Sequence, residues 1–221
     1  MLFVPVKTPG FIKKLLPNFI WEYTTTQKVL YLTFDDGPTP EITHWTLKLL
    51  QQFQAKATFF CIGKNIELFP DIFRDIILQG HGIGNHSHTH IKGWQINTAK
   101  YLSDINQAQR TIKNYTVPPK NTNAKRLFRP PYGQITPKQG KVLIQEGYAV
   151  VTWSILSFDW DKNTTPESCY QNIIKHTKAG DIVVFHDSVK ASKNLMYALP
   201  RVLAYFSARG YQFHALPESF N

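Results

Sequence analysis

Apolar and polar positions follow two different periods along this chain, and their succession predicts alternating strands and helices. Residues 29–34 form a short apolar run rich in β-formers. In 41–53, by contrast, Ile42, Trp45, Leu49 and Phe53 recur at the three- and four-residue intervals of a helix. The same periods predict further strands at 57–62, 81–85, 127–128, 148–153, 182–185 and 211–213, and further helices at 66–78, 98–115, 137–146, 166–178 and 195–208.

This alternation favours parallel strands joined by crossover helices. Two closures fit the pattern, a barrel and an open doubly wound sheet. Polar side chains directly follow the carboxyl ends of several predicted strands, as expected of a barrel whose reactive face collects residues from successive strands. We therefore expect an α/β fold of the barrel kind.

Two adjacent carboxylates, Asp35 and Asp36, stand where the first predicted strand ends and Gly37 and Pro38 turn the chain. Taken alone, such a pair would indicate a helix cap or a solvated turn. Neighbouring like charges repel, and the repulsion is relieved if one carboxylate binds a cation while the other has a different task. The sequence therefore indicates a cation site that uses one of the two aspartates.

Three histidines within five residues, His86, His88 and His90, offer the remaining ligands. His86 and His90 would share one face of a helical turn, whereas His86 and His88 would share one face of a strand. We expect His86 and His90 to bind. One aspartate and two histidines leave a coordination position open for water, which is typical of a catalytic metal. Zinc is the first choice, and cobalt or nickel also fit.

His186 comes directly after the predicted strand 182–185. A histidine titrates near neutral pH, so it can protonate a leaving amine if a carboxylate keeps it cationic and aimed. Asp159 is the candidate carboxylate. Beside it, Trp160 offers a flat indole of the kind that covers the apolar face of a sugar ring, although an ordinary buried loop would show the same pair.

Arg129 is followed by Pro130 and Pro131, which lack amide donors and stiffen the backbone. The next amides, those of Tyr132 and Gly133, are then held in a nearly fixed direction, as a donor to a developing oxyanion must be. A rigid surface turn with a solvated arginine is the alternative interpretation of this stretch.

Five segments in a fixed order resemble a known family: TFDDGP at 33–38, HSHTH at 86–90, RPPYG at 129–133, FDW at 158–160 and IVVFHD at 182–187. They are similar to the motifs of the polysaccharide deacetylases of carbohydrate esterase family four. The similarity runs from about residue 29 to the C-terminus. It implies an irregular (β/α) barrel with about seven parallel strands, formed by a catalytic domain at 28–221 after an N-terminal extension at 1–27.

The resemblance also implies roles for the residues of these motifs. It implies a divalent metal on Asp36, His86 and His90. It further implies Asp35 as the catalytic base restrained by Arg129, the Tyr132 amide as oxyanion donor, and His186 as the acid aimed by Asp159. The implied substrate-binding residues are Trp160, Tyr132 and Val184.

Two positions depart from the family pattern. Leu156 stands where relatives often carry an aspartate, and Val184 stands where they usually carry a leucine that lines the pocket for the acetyl methyl group. The implied activity is hydrolysis of N-acetyl groups on a chitin- or peptidoglycan-like glycan containing N-acetylglucosamine. Hydrolysis of O-acetyl esters, as on acetylated xylan, would use the same residues and is the alternative.

Composition narrows the function classes. A chain of 221 residues fits one domain with a substantial core. Lysine and arginine number 25 against 15 acidic residues, but they are dispersed and form no stripe. This dispersion and the open coordination position argue against nucleic acid as a partner and against a basic binding module with a structural metal. The family resemblance implies an acetylated glycan as partner, and we expect a monomer. Cys61 and Cys169 are expected to be free thiols.

The first 27 residues contain no apolar run of the roughly 18 residues needed to cross a membrane, and prolines and lysines interrupt any signal-peptide core. We expect neither an export signal nor an integral membrane segment, and peripheral association with an envelope stays open. The sequence leaves open whether the protein is located in the cytoplasm or at the cell envelope. The extension offers a small apolar surface that either packs on the domain, as we expect, or rests on a membrane; its residues are Phe11, Ile12, Leu15, Leu16, Phe19, Ile20 and Trp21.

Overall fold

A computed structural model describes residues 5–117 and 124–217. In these ranges the strands form one sheet in which every pairing is parallel, with the order β5-β4-β3-β2-β1-β7-β6 and with β8 beside the start of β1. The strands are β1 Val29–Asp35, β2 Thr58–Cys61, β3 Gly82–Asn85, β4 Arg126–Phe128, β5 Tyr148–Val150, β6 Ile155–Leu156, β7 Ile182–His186 and β8 Gln212–Phe213. The seven strands of the main path curl into a half-barrel, so the predicted irregular barrel of about seven parallel strands is confirmed.

Helices cover the sheet between these strands. They are α1 Gly10–Leu15, α2 Ile42–Gln52, α3 Gly63–Leu68, α4 Pro70–Leu78, α5 Thr98–Lys113, α6 Pro137–Gln145, α7 Pro166–His176 and α8 Ser192–Ser207. Side chains cap several of their first turns: Asn97 accepts from the Lys100 amide, and Thr136 and Gln139 form a capping box. None of the helices in the described ranges combines the length and the apolar character that crossing a bilayer requires.

Two predicted elements were wrong in detail. The single helix predicted at 66–78 is two helices, α3 and α4, because Phe69 adopts a non-helical conformation (φ −132°, ψ 59°) ahead of Pro70. The strand predicted at 148–153 ends at Val150, and the chain forms a second, two-residue strand, β6, on the far side of β7. The second difference affects the cleft, because Trp153 and Leu156 line it.

The register of the sheet decides which strand ends meet. β1 is central, and its last residue, Asp35, pairs with Phe60 of β2 on one side and with His186 of β7 on the other. Asn85 of β3 pairs with Phe128 of β4, so the residues that follow them begin at the same level. The carboxyl ends of β1, β3, β4 and β7 therefore meet at one end of the half-barrel.

The segment before β1 lies between the two open edges of the half-barrel. Strands β5 and β6 end the sheet, and residues 6–20 bridge toward both: the Thr8 amide donates to the Ser154 carbonyl and the Ile20 amide to the Val150 carbonyl, each at 2.9 Å. Phe19 is buried in the core between α5, β4, β5 and α6, whereas Phe11 stays exposed. We call residues 5–23 the strap.

Candidate active site

A cleft of about 400 Å³ opens at the carboxyl ends of the strands. Every site residue predicted from the sequence lines it except Arg129 and Asp159, which lie directly behind its wall. Trp153, Leu156 and Lys190 complete the lining together with Pro130 and Gly133. The half-barrel thus gathers side chains from six separate segments of the chain into one small space.

Asp36, His86 and His90 form a cluster of potential metal ligands. One ligand atom from each lies within 4.8 Å of the other two. The Asp36 Oδ1 atom is 3.2 Å from His90 Nε2 and 3.7 Å from His86 Nε2. This buried oxygen has no hydrogen-bond partner among the described residues. An unsatisfied carboxylate oxygen facing two imidazole nitrogens is the donor set that a divalent cation requires.

Hydrogen bonding prepares His86 for this task. Its Nδ1 lies 2.8 Å from the Arg129 carbonyl, an acceptor, so the ring proton belongs on Nδ1 and the Nε2 lone pair faces Asp36. Burial lowers the pKa of His86 to about 4, against the opposing influence of the neighbouring carboxylate of Asp35. The imidazole is therefore neutral, as a metal ligand must be.

The histidines are positioned by a loop and not by the helical turn assumed from their spacing. Ser87 (φ 62°) and His90 (φ 57°) adopt left-handed backbone conformations, and the reasoning from helical spacing was wrong although His86 and His90 are the two that meet. His88 turns away, with its Nε2 3.8 Å from a carboxylate oxygen of Glu67.

Asp35 does not join the ligand cluster because Arg129 binds it. The fully buried guanidinium donates from Nη1 to Asp35 Oδ1 at 2.7 Å and to Thr33 Oγ1 at 2.7 Å, and from Nη2 to the Thr152 carbonyl at 2.8 Å. Hydrogen bonds of this kind fix the direction of a buried carboxylate. Asp35 is thus held in one orientation at the cleft wall.

The residues after Arg129 form a short 3₁₀ turn, Pro131–Gly133, with Tyr132 in a left-handed conformation (φ 58°). The Gly133 amide donates to the Pro130 carbonyl at 3.0 Å, so it is not available to a ligand. The Tyr132 amide donates to no backbone carbonyl within the described residues. Of the two amides that the sequence indicated, only that of Tyr132 is left to face the cleft.

His186 and Asp159 form a buried pair on the opposite wall. The two carboxylate oxygens of Asp159 contact His186 Nδ1 at 2.8 Å and accept from the His186 backbone amide at 2.7 Å. Burial alone would lower the pKa of His186, but the Asp159 charge and hydrogen bond, with Asp36 and Asp35 nearby, raise it to about 9. His186 is therefore cationic at neutral pH, with Nε2 as the nitrogen left free. Trp160 packs beside it, with ring centroids 4.7 Å apart.

Comparison with known proteins agrees with this arrangement. Residues 22–151 match the family model described as polysaccharide deacetylase. This chain belongs to the polysaccharide deacetylase family. It is 34% identical over 200 residues to a peptidoglycan-N-acetylglucosamine deacetylase of Bacillus cereus, covering 90% of this chain and 91% of the relative. It is 30% identical to a chitooligosaccharide deacetylase of Azorhizobium caulinodans, covering 88% and 95%.

A solved structure supports the same family. The crystal structure of a peptidoglycan N-acetylglucosamine deacetylase superposes with a TM-score of 0.85 at 28% identity and covers 96% of this chain and 97% of that one. The resemblance inferred from the five motifs is therefore confirmed, and with it the prediction that the protein is an enzyme. The family implies a divalent metal, and the residues of the Asp36 cluster fit one.

Two acidic residues of this deacetylase were missed by sequence reasoning. Asp104, on α5, holds the histidine loop: one oxygen accepts from the His88 and Thr89 amides at 2.7 and 3.1 Å, and the other accepts from the Thr89 hydroxyl at 2.8 Å. Asp104 stands in a polar-faced helix far from the loop in sequence, and nothing in the helical pattern distinguishes it from a solvated residue.

Asp187 is the second. It is fully buried under the Asp36 turn, where Thr43 Oγ1 donates to its Oδ2 at 2.5 Å. A Cβ on Gly37 would lie only 2.1 Å from that oxygen, so the turn needs glycine there. Burial raises the pKa of Asp187 to about 8, and the charges of Asp36 and Asp35 add to the effect. Its position directly after His186 was the available signal.

Backbone strain is concentrated at the site of this deacetylase. Five non-glycine residues around the cleft have left-handed conformations: Asp36 (φ 78°), Ser87 (φ 62°), His90 (φ 57°), Tyr132 (φ 58°) and Phe158 (φ 63°). Such conformations cost on the order of 1–3 kcal/mol each and persist where surrounding contacts impose them. Of these five, Ser87 and His90 flank the two residues, His88 and Thr89, whose amides donate to Asp104.

Proposed function

We propose that this protein hydrolyses the N-acetyl group of N-acetylglucosamine units in a poly- or oligosaccharide, with a divalent metal on Asp36, His86 and His90. Zinc is the first candidate for this donor set, and cobalt and nickel are the next. One observation carries the proposal: a free donor cluster, an oriented carboxylate and a cationic histidine face one another across a single cleft. When bound, the cation would polarise the acetyl carbonyl and lower the pKa of water at the site.

Asp35 supplies the base in this proposal. Its carboxylate accepts a proton from water as the water oxygen attacks the acetyl carbon. Arg129 binds one oxygen of Asp35 and keeps the carboxylate from turning toward the metal ligands, which orients it for proton transfer. Negative charge that develops on the acetyl oxygen is met by the Tyr132 amide, whose direction is set by the prolines before it.

His186 completes the reaction as the acid. The carbon–nitrogen bond breaks, acetate leaves, and the sugar nitrogen takes the proton from His186 Nε2. An amine is a poor leaving group unless it is protonated, so a histidine kept cationic by Asp159 suits an amide substrate. An alkoxide needs less help from an acid, and this observation favours N-acetyl over O-acetyl substrates.

The substrate contacts in this proposal come from Trp160, Tyr132 and Val184. Trp160 covers the apolar face of the sugar, and Val184 with Leu156 gives the acetyl methyl group an apolar wall. The relatives act, by their names, on peptidoglycan N-acetylglucosamine and on chitooligosaccharide. Both contain the N-acetylglucosamine unit that we propose here.

The test is acetate release from N-acetylglucosamine oligomers and from an O-acetylated ester, each with added zinc and with a strong chelator. We expect zinc-dependent release from the amide substrate. Release from the ester alone would replace the proposal by an acetylesterase. The absence of release from both, in a protein shown to contain metal, would overturn the assignment.

Three variants assign the roles. Asp35→Asn should retain metal and lose nearly all turnover, whereas His86→Ala should lose the metal itself. His88→Ala is the matched control, because His88 stands in the same loop but points toward Glu67. Metal content is measured on folded protein by atomic absorption. Equal metal loss in His86→Ala and His88→Ala would contradict the ligand assignment.

A further inference from the structure

Two large aromatic side chains stand exposed at the rim of the cleft. Trp94 and Tyr132 each expose 57% of their surface, which is unusual for rings of this size. Lys92 stands two residues before Trp94, and its ammonium group is 5.0 Å from the centre of the Tyr132 ring. We call Lys92, Trp94 and Tyr132 the aromatic shelf. Its members come from the two loops that follow His90 and Arg129.

The shelf is rigid although it is exposed. The Trp94 indole nitrogen donates to the Ile135 carbonyl at 3.1 Å, which fixes one edge of the ring and leaves the rest to solvent. Beside it, the Gly93 carbonyl accepts from the Gln139 side chain at 2.9 Å. Gly93 also packs so closely that a Cβ there would lie 2.3 Å from the Gln134 carbonyl oxygen. A ring held in place before binding loses little conformational entropy when a ligand stacks on it.

The shelf is continuous with the cleft. Tyr132 and Gly133 line the cleft, and the Tyr132 ring packs on His90 with centroids 4.5 Å apart. The carbonyl that accepts from Trp94 belongs to Ile135. Ile135 comes two residues after Gly133, so the Cα atoms of Gly133 and Ile135 are at most about 7 Å apart. Trp94 is therefore bound to the same short segment of chain that forms the Tyr132 side of the cleft.

We propose that the aromatic shelf binds the pyranose units next to the one whose acetyl group is removed. This inference rests on the proposed function, because it assumes a glycan in the cleft. The Trp94 indole covers the apolar face of a neighbouring sugar, and Lys92 donates to its hydroxyl or carboxylate oxygens. The protein then prefers oligosaccharides over short substrates.

The experiment is isothermal titration calorimetry with zinc-loaded Asp35→Asn protein, which binds without turnover. The ligands are the hexasaccharide and the disaccharide of N-acetylglucosamine. Removal of the indole takes away the apolar surface that covers the face of the neighbouring sugar. Adding Trp94→Ala should therefore weaken hexasaccharide binding about tenfold and lower the ratio of hexasaccharide to disaccharide affinity by a similar factor. Trp94→Phe should restore most of this loss.

Leu78→Ala is the control, because Leu78 is 81% exposed at the end of α4, where the chain approaches the opposite end of the half-barrel. It should leave both affinities unchanged. Three results would refute the proposed role of the aromatic shelf. The first is equal hexasaccharide binding with and without Trp94, and the second is an equal loss of affinity for both ligands. The third is the absence of any hexasaccharide binding. A different result would separate the two proposals. If hexasaccharide binding depends on Trp94 but the unsubstituted protein releases no acetate, the proposed reaction is refuted and the proposed role of the aromatic shelf is supported.

Discussion

Replacing Asp159 by asparagine removes one negative charge from the pair that makes His186 an acid. Asparagine has nearly the same shape, but one of its two side-chain positions is an NH₂ donor. Both carboxylate oxygens of Asp159 face donors, His186 Nδ1 and the His186 amide, so asparagine can satisfy only one of them. The histidine then loses its counter-charge and one of its two bonds to residue 159.

The magnitude follows from the pKa of His186, which is about 9 in the intact pair. Burial disfavours the cation and opposes the remaining charges of Asp36 and Asp35, so the pKa in Asp159→Asn should fall to the ordinary value of about 6.5. At pH 8 about nine-tenths of His186 is protonated when its pKa is about 9, whereas about 3% or less is protonated when its pKa is about 6.5 or lower. The acid form, and with it kcat/KM at pH 8, should fall about 30-fold.

The assay is the pH profile of kcat/KM for acetate release from an N-acetylglucosamine oligomer between pH 5 and 10. A histidine is cationic below its pKa, so we expect the alkaline limb of the profile near pH 9 in the intact enzyme and at about pH 6.5 in Asp159→Asn. Asp161→Asn is the matched control, because Asp161 lies in the same loop and accepts only from the nearby Asn163 amide. An alkaline limb at the same pH in Asp159→Asn and the intact enzyme would refute the assignment of His186 as the acid.

Two further predictions concern the residues behind the cleft wall. Arg129→Met leaves the nearly inaccessible Asp35 carboxylate without its partner, and it should lower the free energy of unfolding by about 3–5 kcal/mol in denaturant titrations; a loss below about 1 kcal/mol would show that the pair is not needed. Asp104→Ala removes three hydrogen bonds from the histidine loop and should weaken zinc affinity about 10- to 100-fold in a competition assay with a fluorescent chelator, while unchanged affinity would show that the loop holds its shape alone.

Periodicity identified most elements because the longer helices of this fold each bury one face and expose the other. The helix predicted at 98–115 is α5, Thr98–Lys113, and the strand predicted at 182–185 is β7 with His186 added. The failures fall where local signals oppose the period. Pro70 divides one apolar stretch into two helices, and a strand of only two residues, Ile155–Leu156, is too short for any period to appear.

The site was predictable as far as its residues follow strand ends. Asp35 and His186 are partners in the register of β1 and β7, so parallel pairing alone brings them together. Asp104 could not be identified in this way, because its role depends on contacts between α5 and the histidine loop that no side-chain pattern encodes. Asp187 does follow a strand end, but its contact with Thr43 depends on the fold. The same holds for Trp94, whose place at the rim depends on a bond to the Ile135 carbonyl.

The strap has a consequence for how the chain is made. Its Thr8 hydroxyl donates to the carbonyl of Trp153, 145 residues later, so during synthesis the strap emerges long before its partners exist. Contacts so distant in sequence form late in folding. Until they form, the ends of β5 and β6 are bare strand edges, which are templates for association with other chains. The docking of a few residues at the start of the fold therefore determines how long each newly made chain is exposed to aggregation.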